Sequence, residues 1–529
     1  MKKLAALLLC TAMLLSIASG CSKSNTTKQT QDGSGTGTTG TGTTTTTPTQ
    51  PTTTPESYKK EIVIASNAII GKLDPQSNNT MVCKTVYYSI FSTLFDYDIN
   101  AKKFIGDLVE DYSVDDTGVV WKFKLYEGVK FHDGGALTAN DVKFTFDRAK
   151  DSSFQGSKVA IIKDIKVVDD LNLEFTLTSP SQEFLEVLAD PGLSILSQAA
   201  ITAKGDEGVS IGSGAYSLEE LVPEDYCTIK RFDGYFGEKP KTETIKFRKI
   251  AEDSARVIAL QTGEIDVCLN PSSIDLPHIA EDSSLQLIQT RGSRMIYWAL
   301  NQTVAPFDNQ MVRQAVAQTI NREDIVTATV DGMGEPATHV IAWCCGCCPE
   351  DVTGYEFDPD AAKALLVKAG YPNGLEITIM LDSPQWEAAA EVVQSQLSQI
   401  GINAKIEVLE SAAASEKIEN NNYQCLLSSY GWSSTTDAPL RSLFYSKGAY
   451  NEGKYNDPKI DQLIDGALVE LDPAKRLDMY RQLDQYIMDG ASWLPVFVAD
   501  LNIAIKNGVS GVNWAYHGRH DFTYIYLGE

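Results

Sequence analysis

The distribution of apolar and polar positions divides the chain into three unequal stretches. Behind Lys2 and Lys3, a mostly apolar run from Leu4 to Ile17 ends in the small residues Ala18-Ser19-Gly20, the layout of an export signal with its cleavage site. The run is well short of the ~20 residues that a membrane-spanning helix needs. From Ser22 to Ser57 the chain is dominated by Thr, Ser, Gly and Pro, with too little apolar surface to offset the entropy of folding. As a flexible coil such a linker reaches roughly 30 to 35 Å. From Glu61 onward the pattern becomes that of a folded α/β body, in which short alternating runs trade places with stretches of helical period.

Within that body, Ile62-Val63-Ile64 predicts a strand, and Tyr87, Tyr88, Phe91 and Phe95 recur at helical intervals after the turn Leu73-Asp74-Pro75. Val119-Val120-Trp121-Lys122-Phe123-Lys124-Leu125 alternates as a half-buried strand does, and Asp115-Asp116-Thr117-Gly118 ahead of it supplies the turn of a hairpin. After the tight loop Phe131-His132-Asp133-Gly134-Gly135, Thr138 is the expected cap of a helix through Val142, Phe144 and Phe146. Asp308 is the expected cap of another, with Val312, Ala315, Val316, Thr319 and Ile320 on one face. Asp358-Pro359 opens a helix that ends at Gly370. A strand over 375–381, a helix over 386–400 and a strand over 402–409 predict a parallel, right-handed unit. Asp457-Pro458 and Asp472-Pro473 begin two late helices, and Leu494-Pro495-Val496-Phe497 returns to strand. No internal repeat is present.

Length allows two or three domains beyond the linker at roughly 100 to 200 residues each. A formal charge of −25 and a pI near 4.6 argue against nucleic acid or an anionic lipid surface as partner, because both require a basic face. The ten cysteines carry no disulfide-like spacing outside 344–348, which predicts mostly buried thiols. Cys21 stands directly after the small residues, and this arrangement resembles the lipobox of bacterial lipoproteins, although Ala18 occupies the place usually held by a bulkier aliphatic residue. The resemblance implies cleavage after residue 20, acylation of Cys21 and a protein held at the outer face of the cell membrane.

The body carries an ordered series of motifs: Leu108-Val109-Glu110-Asp111-Tyr112, Gly128-Val129-Lys130-Phe131-His132-Asp133-Gly134 and Leu137-Thr138-Ala139-Asn140-Asp141-Val142. Gly212-Ser213-Gly214-Ala215-Tyr216, Phe232-Asp233-Gly234-Tyr235-Phe236, Ala259-Leu260-Gln261-Thr262-Gly263-Glu264-Ile265-Asp266 and Pro306-Phe307-Asp308 follow, and Ala369-Gly370-Tyr371-Pro372 closes the series. This series resembles the family 5 extracellular solute-binding proteins, the oligopeptide, dipeptide and nickel receptors of ABC importers, over essentially all of 60–529. The resemblance implies an α/β, bilobed, periplasmic-binding-protein-like fold of class II, with mixed sheets and flanking helices. Domain I would take 58–98, 193–293 and 499–529, domain II 99–192 and domain III 294–498, behind a signal at 1–20 and a linker at 21–57. It further implies a monomeric receptor without a cofactor, which closes on a peptide-sized ligand and delivers it to the transmembrane subunits of a permease.

In the peptide-binding relatives a Gly-Trp pair lies over the ligand and an Asp three residues after the Trp meets the ligand's amino terminus. Gly431-Trp432 matches, but Thr435 stands where that Asp belongs, and Asp437 is the substitute within reach. A buried ammonium without a charged partner costs several kcal/mol, so the departure bears on the cargo. Arg294, Tyr297 and Trp298 occupy the stretch where relatives place cleft aromatics, and alternation along a strand brings only part of them to one face. Asn79 and Met81 fall in a loop that borders the ligand in relatives. Trp343 opens the run Cys344-Cys345-Gly346-Cys347-Cys348 near the expected cleft mouth, for which a disulfide, unpaired thiols and a bound metal all remain open.

Other signals are weaker. Gly208-Val209-Ser210-Ile211-Gly212 fits the nucleophile elbow of hydrolases, yet strand rather than helix is expected after it. His517, Arg519, His520 and Asp521 are expected on a C-terminal surface loop rather than around a metal. A receptor for peptides is the leading expectation, a receptor for a metal chelate or another non-peptide solute the alternative, and a secreted serine hydrolase the outlier.

Overall fold

The computed structural model describes residues 57–68, 71–78, 80–98, 103–181, 183–432, 435–515 and 519–528. The export signal, Cys21 and the linker up to residue 56 lie outside the described residues, as do Asn79 and His517, and of Met81 only the backbone is described. In chain order the principal strands are β1 (Glu61–Ser66), β2 (Val109–Val114), β3 (Val120–Leu125), β4 (Ile162–Val167), β5 (Asn172–Leu177), β6 (Tyr216–Val222) and β7 (Tyr226–Arg231). They continue with β8 (Thr244–Lys249), β9 (Val267–Leu269), β10 (Leu285–Leu300), β11 (Leu375–Leu381), β12 (Ile402–Val408), β13 (Cys425–Gly431) and β14 (Trp493–Lys506). The helices that matter below are α1 (Met81–Ile90), α2 (Ala139–Ala149), α3 (Phe184–Leu188), α4 (Gln310–Thr319), α5 (Glu387–Gln399), α6 (Asp437–Phe444), α7 (Pro458–Val469) and α8 (Pro473–Gly490).

A long mixed sheet runs in the order β12-β11-β13-β10-β14-β9-β1-β8-β7-β6, and a separate antiparallel sheet runs β2-β3-β5-β4. The expected parallel unit is present: β11 and β12 pair in parallel from Leu375↔Ile402 to Leu381↔Val408, with α5 between them in sequence. The hairpin at 109–125 forms as its turn residues predict. Asp115 accepts the backbone N–H groups of Val119 and Val120 at 3.1 and 3.0 Å.

β10 and β14 hold the two halves of the long sheet together. Leu285 through Arg291 pair with Lys506 through Asp500, and Met295 through Ala299 pair with Val498 through Trp493, with breaks in register between Arg291 and Met295 and between Ile296 and Tyr297. Gly292 sits in the first break, where a Cβ would come within 2.1 Å of the Ala499 carbonyl oxygen. Only glycine permits that approach.

Local sequence explains most element boundaries. Thr138 and Asp141 form a reciprocal capping box on α2, with Thr138 N–H donating to Asp141 at 2.9 Å. Asp457 and Asp472 cap α7 and α8, each followed by a proline that has no N–H to leave unpaired. Two expectations are corrected. The cap of α4 is Asn309, which accepts the Met311 N–H at 3.0 Å, because the turn reaching back to Val304 uses Asp308 first. The aromatic period at 87–95 outlasts its helix: α1 stops at Ile90, Phe91 is extended and Phe95 opens a strand. All three of Tyr87, Phe91 and Phe95 are buried, so burial rather than helix carries that spacing.

His520 is likewise not on a loop. It lies in the strand Arg519–Asp521, paired with Asn513–Ala515, and is buried enough that its pKa is pushed down to about 4. The body begins beside its own end: Tyr58 bridges to Gly528, Lys59 N–H donates to the Leu527 carbonyl at 2.9 Å, and the Lys59 ammonium binds the fully buried Asp266 carboxylate at 2.6 Å. Lys506 reaches the same carboxylate at 3.0 Å.

Each face of β10 belongs to a different core. Ile296, Trp298 and Leu300 pack with Val312, Trp386 and Val393, whereas Met295, Tyr297 and Ala299 pack with Trp432, Leu440 and Trp493. Trp298 is therefore fully buried core on the face away from Trp432, which corrects its expectation as a cleft residue. Trp298→Ala should lower the unfolding free energy by about 3 to 5 kcal/mol, the usual loss for a large aromatic deleted from a packed core. Urea denaturation followed by far-ultraviolet circular dichroism measures it, and a loss below about 1 kcal/mol would contradict this placement.

Candidate ligand cleft

β13 ends at Gly431, and the next residue, Trp432, is tied back to the break in β10 by its N–H, which donates to the Ser293 carbonyl at 2.9 Å. Its ring is almost wholly buried and meets Tyr430 edge-on at 6.0 Å, while Tyr430 meets the exposed Tyr450 at 5.8 Å. The Trp343 indole N–H donates to the Gly292 carbonyl at 2.6 Å, and the Arg291 guanidinium lies 5.4 Å from the Trp343 ring centre. Two tryptophans thus hang from adjacent carbonyls of one strand irregularity. Tyr297 stacks on Trp493 at 4.5 Å and donates its hydroxyl to the Glu452 carboxylate. Burial raises both groups, Glu452 to about 7 and Tyr297 well above the phenol range.

Arg294 and Tyr297 point to opposite faces of β10. Arg294 is exposed and donates to Ser429 Oγ at 2.9 Å, so it does not join Tyr297 and Trp432. Asp437, at the start of α6, is not a bare carboxylate: Arg441 Nε and Nη2 each donate to it at 3.0 Å, and Arg441 also reaches Asp465 at 2.7 Å. Burial nevertheless pushes the Asp437 pKa up, against the pull of Arg441. Both of its oxygens accept from Arg441. Thr435 itself is half-buried at the approach to α6.

Cys344 and Cys345 are buried, Cys347 and Cys348 half-buried, and none of the described cysteines is in a disulfide. Burial raises the thiols of Cys345, Cys347 and Cys348, the last to about 12. Such thiols are weak nucleophiles. The loop is fastened to α6 by the Cys347 N–H, which donates to Thr436 Oγ1 at 3.3 Å. Among the described residues no group of three metal-binding side chains is present. Ser210 ends a 3-10 turn that follows a helix, and its hydroxyl donates to the Glu207 carbonyl at 3.0 Å, so the strand-to-helix elbow of a hydrolase is not built here.

The residue that sequence reasoning missed is Glu183. It stands just before α3, on the part of the chain that carries the β2-β3-β5-β4 sheet, and its carboxylate accepts the N–H groups of Thr436 at 2.9 Å and Asp437 at 2.6 Å. These are backbone donors at the start of α6, where a helix leaves N–H groups unpaired and favours negative charge. A second touch between the same regions is apolar: a Cβ added to Gly118 would lie 3.2 Å from both Leu471 Cδ2 and Pro180 Cβ. Nothing periodic marks Glu183, and a cap supplied from about 250 residues away leaves no local signature.

A mixed α/β body built on two through-running strands, with a separate antiparallel sheet, is the class of fold that this arrangement defines. Comparison sharpens it: residues 103–452 match the model of the bacterial extracellular solute-binding proteins, family 5. The chain is 30% identical over 471 residues to the glutathione-binding protein GsiB of Escherichia coli O1:K1 / APEC, covering 85% of this chain and 91% of that one. Its fold is similar to the ABC transporter substrate-binding protein CtaP of Listeria monocytogenes (TM-score 0.81, 23% identity, 89% of this chain and 100% of that chain). It is similar also to DppA of Helicobacter pylori in complex with the peptide STSA (TM-score 0.73, 23% identity, 89% and 99%). The chain belongs to the bacterial extracellular solute-binding proteins, family 5, and is a substrate-binding protein of an ABC importer.

The Glu183 contact carries a pH dependence. Burial first, and then the charge of Asp437, push the Glu183 pKa up to about 7, above the ordinary glutamate value of about 4.3. The buried position of Glu183 therefore binds its proton more tightly than a solvated glutamate does, and protonation favours that position even though the two N–H bonds alone favour the ionised form. Its full strength lies below the ordinary glutamate range and is lost as pH rises through about 7. Amide-exchange protection at Thr436 and Asp437, corrected for intrinsic rates, should increase from pH 8 to pH 5. Glu183→Gln should flatten that profile, and an unchanged profile would contradict the assignment.

Proposed function

We propose that the protein is a lipid-anchored receptor, tethered through Cys21 at the extracellular face of the cell membrane, that captures a peptide and hands it to the transmembrane subunits of an ABC permease. Domain I (58–98, 193–293 and 499–529) with domain II (99–192) forms one lobe, and domain III (294–498) forms the other. The ligand lies between them under Trp432, bordered by Tyr297, Thr435 and Trp343 on one side and by Asn79 and by Met81, the first residue of α1, on the other. Asp437 holds Arg441 and the start of α6 in place rather than touching the ligand. The single observation that carries the reading is the joint suspension of Trp343 and Trp432 from Gly292 and Ser293, which sets an aromatic wall beside the break between the two halves of the sheet. A relative named for glutathione, a tripeptide, and a structural neighbour bound to the peptide STSA support peptide cargo.

A closing receptor responds to a ligand that binds the closed form better than the open one. Trp432→Ala should therefore weaken binding of the co-purified ligand by about tenfold or more, equivalent to about 1.4 kcal/mol. Isothermal titration measures this, and unchanged affinity would misplace the pocket. Native mass spectrometry of the purified protein should return a peptide envelope. A metal chelate or a sugar in its place would turn the assignment to a non-peptide solute. Cys21→Ser should move the protein from the membrane fraction to the medium, since stable anchoring is lost with the acyl chains.

A further inference from the structure

The sheet β2-β3-β5-β4 shares no strand with the long sheet, so the part of the chain that carries it, 99–192, meets 294–498 without a common ladder. Two contacts join them. In one, the Glu183 carboxylate accepts the N–H groups of Thr436 at 2.9 Å and Asp437 at 2.6 Å. In the other, the hairpin turn at Gly118 meets Leu471, between α7 and α8, where a Cβ added to Gly118 would lie 3.2 Å from Leu471 Cδ2. Both can part without unzipping a sheet. The hydrogen bonds lost at Glu183 would be exchanged for bonds to water at modest net cost. What changes is solvation, because Glu183, Thr436 and Asp437 are all buried while the contact is made.

We infer that Glu183 and the first turn of α6 form a proton-linked latch, through which domain II holds the two lobes together more firmly in acid than in alkaline surroundings. The inference rests on the reading of the chain as a two-lobed receptor, and it gives a role to domain II, which supplies none of the proposed ligand contacts. In the closed form the Glu183 carboxyl is held at about 7, raised first by burial and then by the charge of Asp437, against its bonds to the two N–H groups and the charge of Arg476. Parted and solvated, it returns to the ordinary glutamate value of about 4.3. Closure therefore takes up a proton between those two values, and the stabilisation, complete below the lower one, is lost as pH rises through about 7. The other groups coupled to it by charge are Asp437, which Arg441 engages; Arg476 and Tyr480 on α8; Cys347 on the cysteine loop; and Glu186 on its own helix. Arginine stays charged, and burial keeps this phenol and this thiol protonated. The acids alone can change charge between pH 5 and pH 8, and altering Glu183 decides which of them does.

Small-angle X-ray scattering of the purified, ligand-free full chain at constant ionic strength tests the latch without a cargo. The radius of gyration should fall from pH 8 to pH 5 in the unaltered protein. Glu183→Gln, which has no proton to titrate, and Glu183→Ala, which has no acceptor, should each abolish that change, with Glu183→Ala the more extended of the two. Reduced glutathione is the second probe: it should bind the unaltered protein about tenfold or more tightly at pH 5 than at pH 8, and Glu183→Gln should bring the ratio to about one. Circular dichroism establishes that each variant is folded. A radius independent of pH in the unaltered protein, or a pH response that persists in either folded variant, would overturn the latch. Glutathione that binds at neither pH counts against the peptide reading alone, and the scattering still decides the latch.

Discussion

Two strands, β10 and β14, run the full depth of the long sheet, and their pairing breaks register between Arg291 and Met295. The break leaves the carbonyls of Gly292 and Ser293 outside the ladder, and buried backbone oxygens must find donors. The donors they find are the Trp343 indole and the Trp432 backbone. The close approach of Gly292 to Ala499 fixes where those carbonyls point. An irregularity in one ladder thereby positions an aromatic wall, and any rotation of one half of the sheet against the other must pass through the residues that hold it. In two-lobed receptors, hinges are the few element-terminal residues that absorb such changes. Here the same residues orient the candidate ligand contacts.

Electrostatics around α6 follow from a competition for its first turn. Asp437 is locked by Arg441, which is shared with Asp465, so each of its oxygens already accepts from a guanidinium. The N–H groups of Thr436 and Asp437 then face outward unpaired unless an acid from elsewhere supplies the acceptor, and Glu183 does so. Burial first, and then the charge of Asp437, raise the Glu183 pKa.

Much of the fold was legible because its signals are local. Asp457-Pro458, Asp472-Pro473 and the Thr138–Asp141 box declare helix starts within three residues, and the alternation of 119–125 declares a strand face. The family series places these elements in order. The misreadings share a cause. Asp308 and Asn309 are both competent caps, and the choice depended on a turn reaching back to Val304. The period at 87–95 records burial without recording that the chain turns extended at Phe91. Trp298 and Tyr297 are adjacent aromatics on one strand, and sequence alone gives no sign of which face meets which core. Glu183 was illegible because its role exists only across the join between distant segments, where spacing in sequence carries no information.

The body starts at Tyr58 and closes at Gly528 in adjacent positions, clamped by Lys59, Asp266 and Lys506. A pull arriving through residue 57 is therefore resisted by that clamp and by β1, which lies on the far side of β9 from β14 and well away from β13 and α6. Load enters one half of the sheet and bypasses the segments that border the candidate cleft. A receptor held by its leading end against flow or wall friction would open and shut on thermal and ligand energies alone, with mechanical tension spent on two lysines and a buried aspartate.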